Sequence, residues 1–158
     1  MAGENGHFHT FIRHVGVSEG MKPAPYDGNV EWPSGNDLVT HLIGVSMDKC
    51  GSAMGLFATN RWVTGEAWFK AADMIELIGG YNIDHAWPSW PTNRRVGAVI
   101  HAYRPEIEVL LTYRDLVVEQ WRNEHPDKDA FEDRELDMTG QLRVSLKKRV
   151  AELETLIA

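Results

Sequence analysis

The chain has 158 residues, of which 43% are hydrophobic and 25% charged, and it carries a net charge of −7. That size and balance suit a single domain with a real core and speak against global disorder. No apolar run approaches the roughly 18 residues needed to cross a bilayer, and the start, MAGENGHFHTFIRH, lacks the basic and apolar blocks of a secretory signal. A lone Cys50 cannot form an intrachain disulfide, which suits a reducing compartment, so a cytoplasmic protein is expected.

The charge is unevenly spread. Residues 1–60 carry a net −3, residues 61–104 a net +1 and residues 105–158 a net −5. Proteins that grip duplex DNA through its phosphates show a basic excess, so any nucleic-acid contact here would be local to the middle third.

In chain order, residues 1–35 hold six Gly and three Pro and read as an extended N-terminal arm, with a short strand near HFHTFIRHVGV. Such an arm is mobile unless it packs on its own domain or a partner. From Ser34-Gly-Asn-Asp37 a helical pattern opens: Val39, Ile43, Met47, Cys50, Met54 and Phe57 recur at steps of three and four. Gly44, Gly51 and Gly55 fall within that span and imply close approach of another element to the backbone. A second helix over 64–78 is expected, capped by Thr64, with Trp68, Ala71, Ala72, Ile75 and Ile78 inward and Gly79-Gly80 at its end.

The stretch YNIDHAWPSWP then forms a stiff aromatic loop. A third helix over 92–103 buries Val96, Val99, Ile100 and Tyr103. A fourth, over 105–124, has Pro105 in its first turn and Ile107, Leu110, Leu111, Val118 and Trp121 as its inward stripe. The acidic linker DKDAFEDRELD follows, with apolar points that form a helical turn or lie against the body. Leu142, Leu146, Val150, Leu153 and Ile157 mark an amphipathic C-terminal helix over 143–157. The expected architecture is mainly α, a small bundle of four to five helices behind a Gly/Pro-rich arm: arm 1–35, helical core 36–125, acidic linker and terminal helix 126–158.

Three constellations bear on function. His7 and His9 lie two apart, on one face of any strand, and His14, Asp27, Asp37 and His41 are near in sequence. Imidazoles and carboxylates together suit a divalent metal, although no HExxH or paired CxxC accompanies them. Asn93, Arg94 and Arg95 open the third helix, where such side chains can read base edges, but the connection from the second helix is far longer than a helix-turn-helix allows. Cys50 lies nine residues from His41, too far along one helix to pair with it, and reads as a buried inert thiol.

Trp87 and Trp90 flank Pro88 in a loop rather than on a helical stripe, and Arg94 and Arg95 follow directly. Trp and Arg dominate binding hot spots, so 87–95 is the segment selected for function, as a lid or as an interface. No glycine-rich phosphate loop, GxSxG or kinase signature occurs. The leading expectation is a non-catalytic interaction or accessory protein in a larger assembly. It would use Trp87, Trp90, Asn93, Arg94 and Arg95 toward a protein partner or a second copy, without a cofactor and without a membrane. Two rivals stand beside it: a DNA-binding module over 64–104, and a small divalent-metal enzyme using His7, His9, His14, Asp37 and His41.

Overall fold

The computed structural model describes residues 3–157. Strands β1 (Gly6–Arg13), β2 (Val39–Met47), β3 (Ala53–Thr59) and β4 (Met138–Arg143) form one antiparallel sheet in the order β1-β2-β3-β4. Helices α1 (Arg61–Thr64), α2 (Ala71–Ile78), α3 (Trp90–Ala102), α4 (Arg104–Glu124) and α5 (Leu146–Ile157) complete the chain. The mainly α bundle is therefore corrected to an α/β fold, with the long connection between β3 and β4 holding α1 to α4.

The largest correction falls on 37–57, expected as one helix and found as two paired strands. Every residue from Thr40 to Ser46 is buried, because β2 is an inner strand covered on both faces. A strand buried on both faces shows no polar alternation, so its apolar positions can mimic a helical step. Val39, Thr40, Ile43 and Val45 are β-branched and favour the pleated sheet. The break comes at 48–52, where Gly51 turns at φ +74° and Asp48 Oδ1 accepts the N–H groups of Cys50 and Ser52. Cys50 sits on that turn and is exposed, not buried.

Gly44 does meet a close neighbour, as its place in the pattern implied, but across a strand pair: the Phe57 ring lies over it. A Cβ at residue 44 would stand 2.2 Å from Phe57 Cζ. Gly44→Ala should therefore displace the ring from the edges of His7 and His9 and cost about 1–3 kcal/mol in urea unfolding. An unchanged midpoint would mean that the ring swings away freely.

The helix expected over 64–78 is two pieces. Gly65 at φ +64° closes α1, residues 66–70 are not helical and bond Ala67 N–H to Val39 O, and α2 begins only at Ala71. Thr64 caps nothing and instead donates its hydroxyl to Glu66. Of the expected stripe, Trp68, Ala71 and Ile78 are buried while Ala72 is exposed. Helices α3 and α4 lie where the periodicity put them, with Val96, Val99, Ile100, Ile107, Leu110, Leu111 and Val118 buried. Trp121 is only half-buried, stacked on His125 with its indole N–H donated to Asp133. The last helix starts at Leu146, because 138–143 is strand β4.

α4 lies across β3 and β4 and also packs on α2. Gly140 permits this contact: a Cβ there would stand 2.8 Å from Leu110 and 3.1 Å from Tyr113. The N-terminal arm is not free. Its first strand pairs with β2, and Tyr26 and Trp32 stack on one another at 4.4 Å and edge onto Phe131. The acidic linker lies against the body in the same place, burying Ala130, Phe131 and Leu136 beside Trp68 and Val118.

Candidate functional site

The connection from α2 to α3 carries the aromatic loop. Ser89 caps α3 by accepting from the Thr92 N–H and hydroxyl, and Pro91 fits the first turn. Asn93 reaches back to donate its amide to His85 O at 2.7 Å and Trp87 O at 3.2 Å, and Trp87 N–H donates to His85 Nδ1. The Trp87–Pro88 peptide is cis. The loop is thus braced by its own polar groups, and the tryptophans are left outward: Trp87 is 76% exposed and Trp90 54%. Neither ring is buried, as a lid over the core would be.

Arg94 lies over the Trp90 ring, its Cζ 5.9 Å from the centroid. Arg95 points toward the 48–52 turn. Neither guanidinium forms an ion pair among the described residues. Of the five residues selected from the sequence, four offer aromatic or cationic groups to solvent, and Asn93 holds the loop.

The candidate metal ligands divide. His7 and His9 do share one strand face, with ring centroids 5.1 Å apart, and His9 Nδ1 lies 3.0 Å from His41 Nε2. Phe11 and Phe57 pack around this group. His14 and Asp37 lie in short 3-10 turns, both exposed, whereas His41 is buried in β2. Among the described residues no group of three or more His, Cys, Asp or Glu is placed to hold a metal ion. Burial pushes His41 down to about 3, helped by His9 and by Arg114, and burial also lowers His9. Both imidazoles are therefore neutral near pH 7 and hold a single proton between the facing nitrogens.

Behind this pair lies a buried polar network that no sequence signal marked. The β2–β3 ladder ends at the Gly44–Phe57 pair, and the N–H of His41 is met by a side chain instead. Glu66 Oε2 accepts that N–H and the Thr40 hydroxyl, while Oε1 accepts from Thr64. Complete burial raises the Glu66 carboxyl to about 7, against the opposing pull of Arg114 and of these three donors. Arg61 donates Nε to Glu66 O and pairs with Glu132, and Arg114 donates to Phe69 O and Asp115. A further feature on the outside of α4 escaped the periodicity: Val109, Tyr113 and Leu116 are all exposed.

No curated protein and no solved structure matches the chain. A family model does, over residues 1–144, which takes in the whole sheet, the tryptophan loop and α4 and stops short of α5. With most of its length so matched, the chain belongs to the family described as "Domain of unknown function (DUF6969)".

Proposed function

We propose that the protein is a non-catalytic interaction or accessory component of a larger assembly, and that Trp87, Trp90, Arg94 and Arg95 form its contact surface toward a protein partner. The observation that carries this reading is the exposure of two tryptophans, Trp87 on a hydrogen-bonded loop and Trp90 at the first residue of the helix that follows it. Leaving such side chains in water costs solvation free energy that a partner recovers, and a loop already braced loses little entropy on binding. The unpaired guanidiniums beside them add polar specificity. A base-reading role is less well supported, because the Asn93 amide is spent on loop carbonyls and the chain is acidic.

Trp87→Ala and Trp90→Ala should each shift the melting temperature by less than about 2 °C, since exposed side chains contribute little to stability. A photo-crosslinking residue at 87 or 90, introduced in the native cells, should yield a discrete adduct that Arg94→Glu abolishes. The same residue at exposed Val63 is the control. Loss of the fold in the tryptophan variants, or adducts no different from those at 63, overturns the reading. Arg94-dependent binding to duplex DNA at physiological salt would replace it with the nucleic-acid one.

A further inference from the structure

Beside the tryptophan loop, between the sheet and α3, lies a pocket of about 190 Å³. Its walls are apolar: Phe8 from β1, Val45 and Met47 from β2, Val96 and Val99 from α3. Thr92 and Arg95 are the polar side chains that reach it. The Arg95 guanidinium lies over Gly51, where an added Cβ would be 3.5 Å from Nη1, and it has no ion-pair partner among the described residues. Asp48, the acid of that turn, is turned instead to the N–H groups of Cys50 and Ser52.

From this juxtaposition we infer that the pocket is a binding site for a small apolar carboxylate, a medium-chain or aryl acid whose hydrocarbon fills the cavity and whose carboxylate meets Arg95. Dry apolar cavities of roughly 150 Å³ take a benzene ring, so this one accommodates a ring or a chain of roughly six to eight carbons. The planar fork of a guanidinium matches a carboxylate in bidentate fashion, and in a protein of net −7 an unpaired arginine at an apolar mouth is the group that selects an anion over a neutral chain. The inference does not rest on the protein-interaction reading: Arg95 borders both sites, but the cavity walls come from the sheet and the inner face of α3, and neither Trp87 nor Trp90 lines it.

The test is titration calorimetry of the full chain with sodium octanoate, with octanol as the uncharged comparator. Octanoate should bind at one saturable site, and octanol about tenfold more weakly. Arg95→Gln, a surface change that leaves the core intact, should weaken octanoate about tenfold or more and leave octanol unchanged, so that the two bind alike. Val99→Phe should fill the cavity and abolish both. Val96→Phe serves the same purpose if circular dichroism shows the first variant unfolded. Val63→Ala, an exposed position that does not line the pocket, should leave octanoate binding unchanged. The absence of saturable octanoate binding, or binding indifferent to Arg95→Gln or to a cavity-filling variant that folds, overturns the inference.

Discussion

Arg114→Ala is expected to lower the free energy of unfolding by about 3–5 kcal/mol, the usual cost of removing one partner of a buried charged network. Arg114 leaves α4 with its side chain 2% exposed. Its Nη2 donates to Phe69 O at 2.6 Å and to Asp115 Oδ1 at 2.7 Å, and its Cζ lies 3.9 Å from the Trp68 ring centroid. Asp115 in turn accepts the Ala71 N–H through Oδ2 at 2.7 Å. That last bond supplies what α2 lacks locally, since Lys70 at its N-cap position offers no side-chain acceptor. One arginine thus fixes the 66–70 segment, orients the acid that caps α2 from another helix, and screens the Trp68 face. Truncation leaves the Phe69 carbonyl and one Asp115 oxygen without a donor inside the protein. Arg104→Ala, which removes an exposed i,i+4 pair with Glu108, should cost less than about 1 kcal/mol. Equal shifts in the two urea midpoints would show that the Arg114 network contributes nothing beyond a surface pair.

Arg114 also shows where sequence reasoning stops. Helices α3 and α4 were legible because each has a stripe at three- and four-residue steps, and α4 also a proline in its first turn, signals that lie within the element itself. The pairing of His7 with His9 was legible for the same reason, since alternation along a strand needs no distant partner. The tryptophan loop stood out because two large rings fell off every helical stripe between prolines. What stayed hidden depends on residues far apart in the chain. The partners of Arg114 and Arg61 lie up to 71 residues away, and Glu66 is bonded to residues 25 and 26 positions back. Nothing local distinguishes such residues from solvated charges. β2 was hidden by its own burial, and β4 by its length of six residues with Gly140 at the point where α4 crosses.

The second large effect is a dependence of stability on pH that Glu66→Gln removes. The native Glu66 carboxyl titrates at about 7 instead of the ordinary 4.5. Between those values the unfolded chain has lost its proton and the native state keeps it, so the contribution of Glu66 falls as pH rises from 4.5 and levels off above 7. The loss is on the order of 3 kcal/mol for a group with no exposure. His41 acts in the opposite direction. Its native value of about 3 lies below the ordinary 6.5, so as pH falls from 6.5 the unfolded chain takes up a proton that the native state excludes, and stability falls toward pH 3. The two slopes oppose one another between pH 4.5 and 6.5, and the wild-type curve alone would hide both. The difference between wild type and Glu66→Gln isolates the carboxyl, because His41 is common to both chains. Glutamine keeps an oxygen for the His41 N–H and the Thr40 hydroxyl, and its amide can donate to Thr64, whose hydroxyl can turn to Arg61 O. It therefore mimics the protonated acid. Urea unfolding at pH 4.5, 5.5, 6.5 and 7.5 should find the variant close to wild type at the lowest of these values and progressively more stable than wild type toward the highest. Parallel curves for the two proteins would place the native carboxyl near its ordinary value and would mean that Arg114 and the three donors around it fully offset the effect of burial.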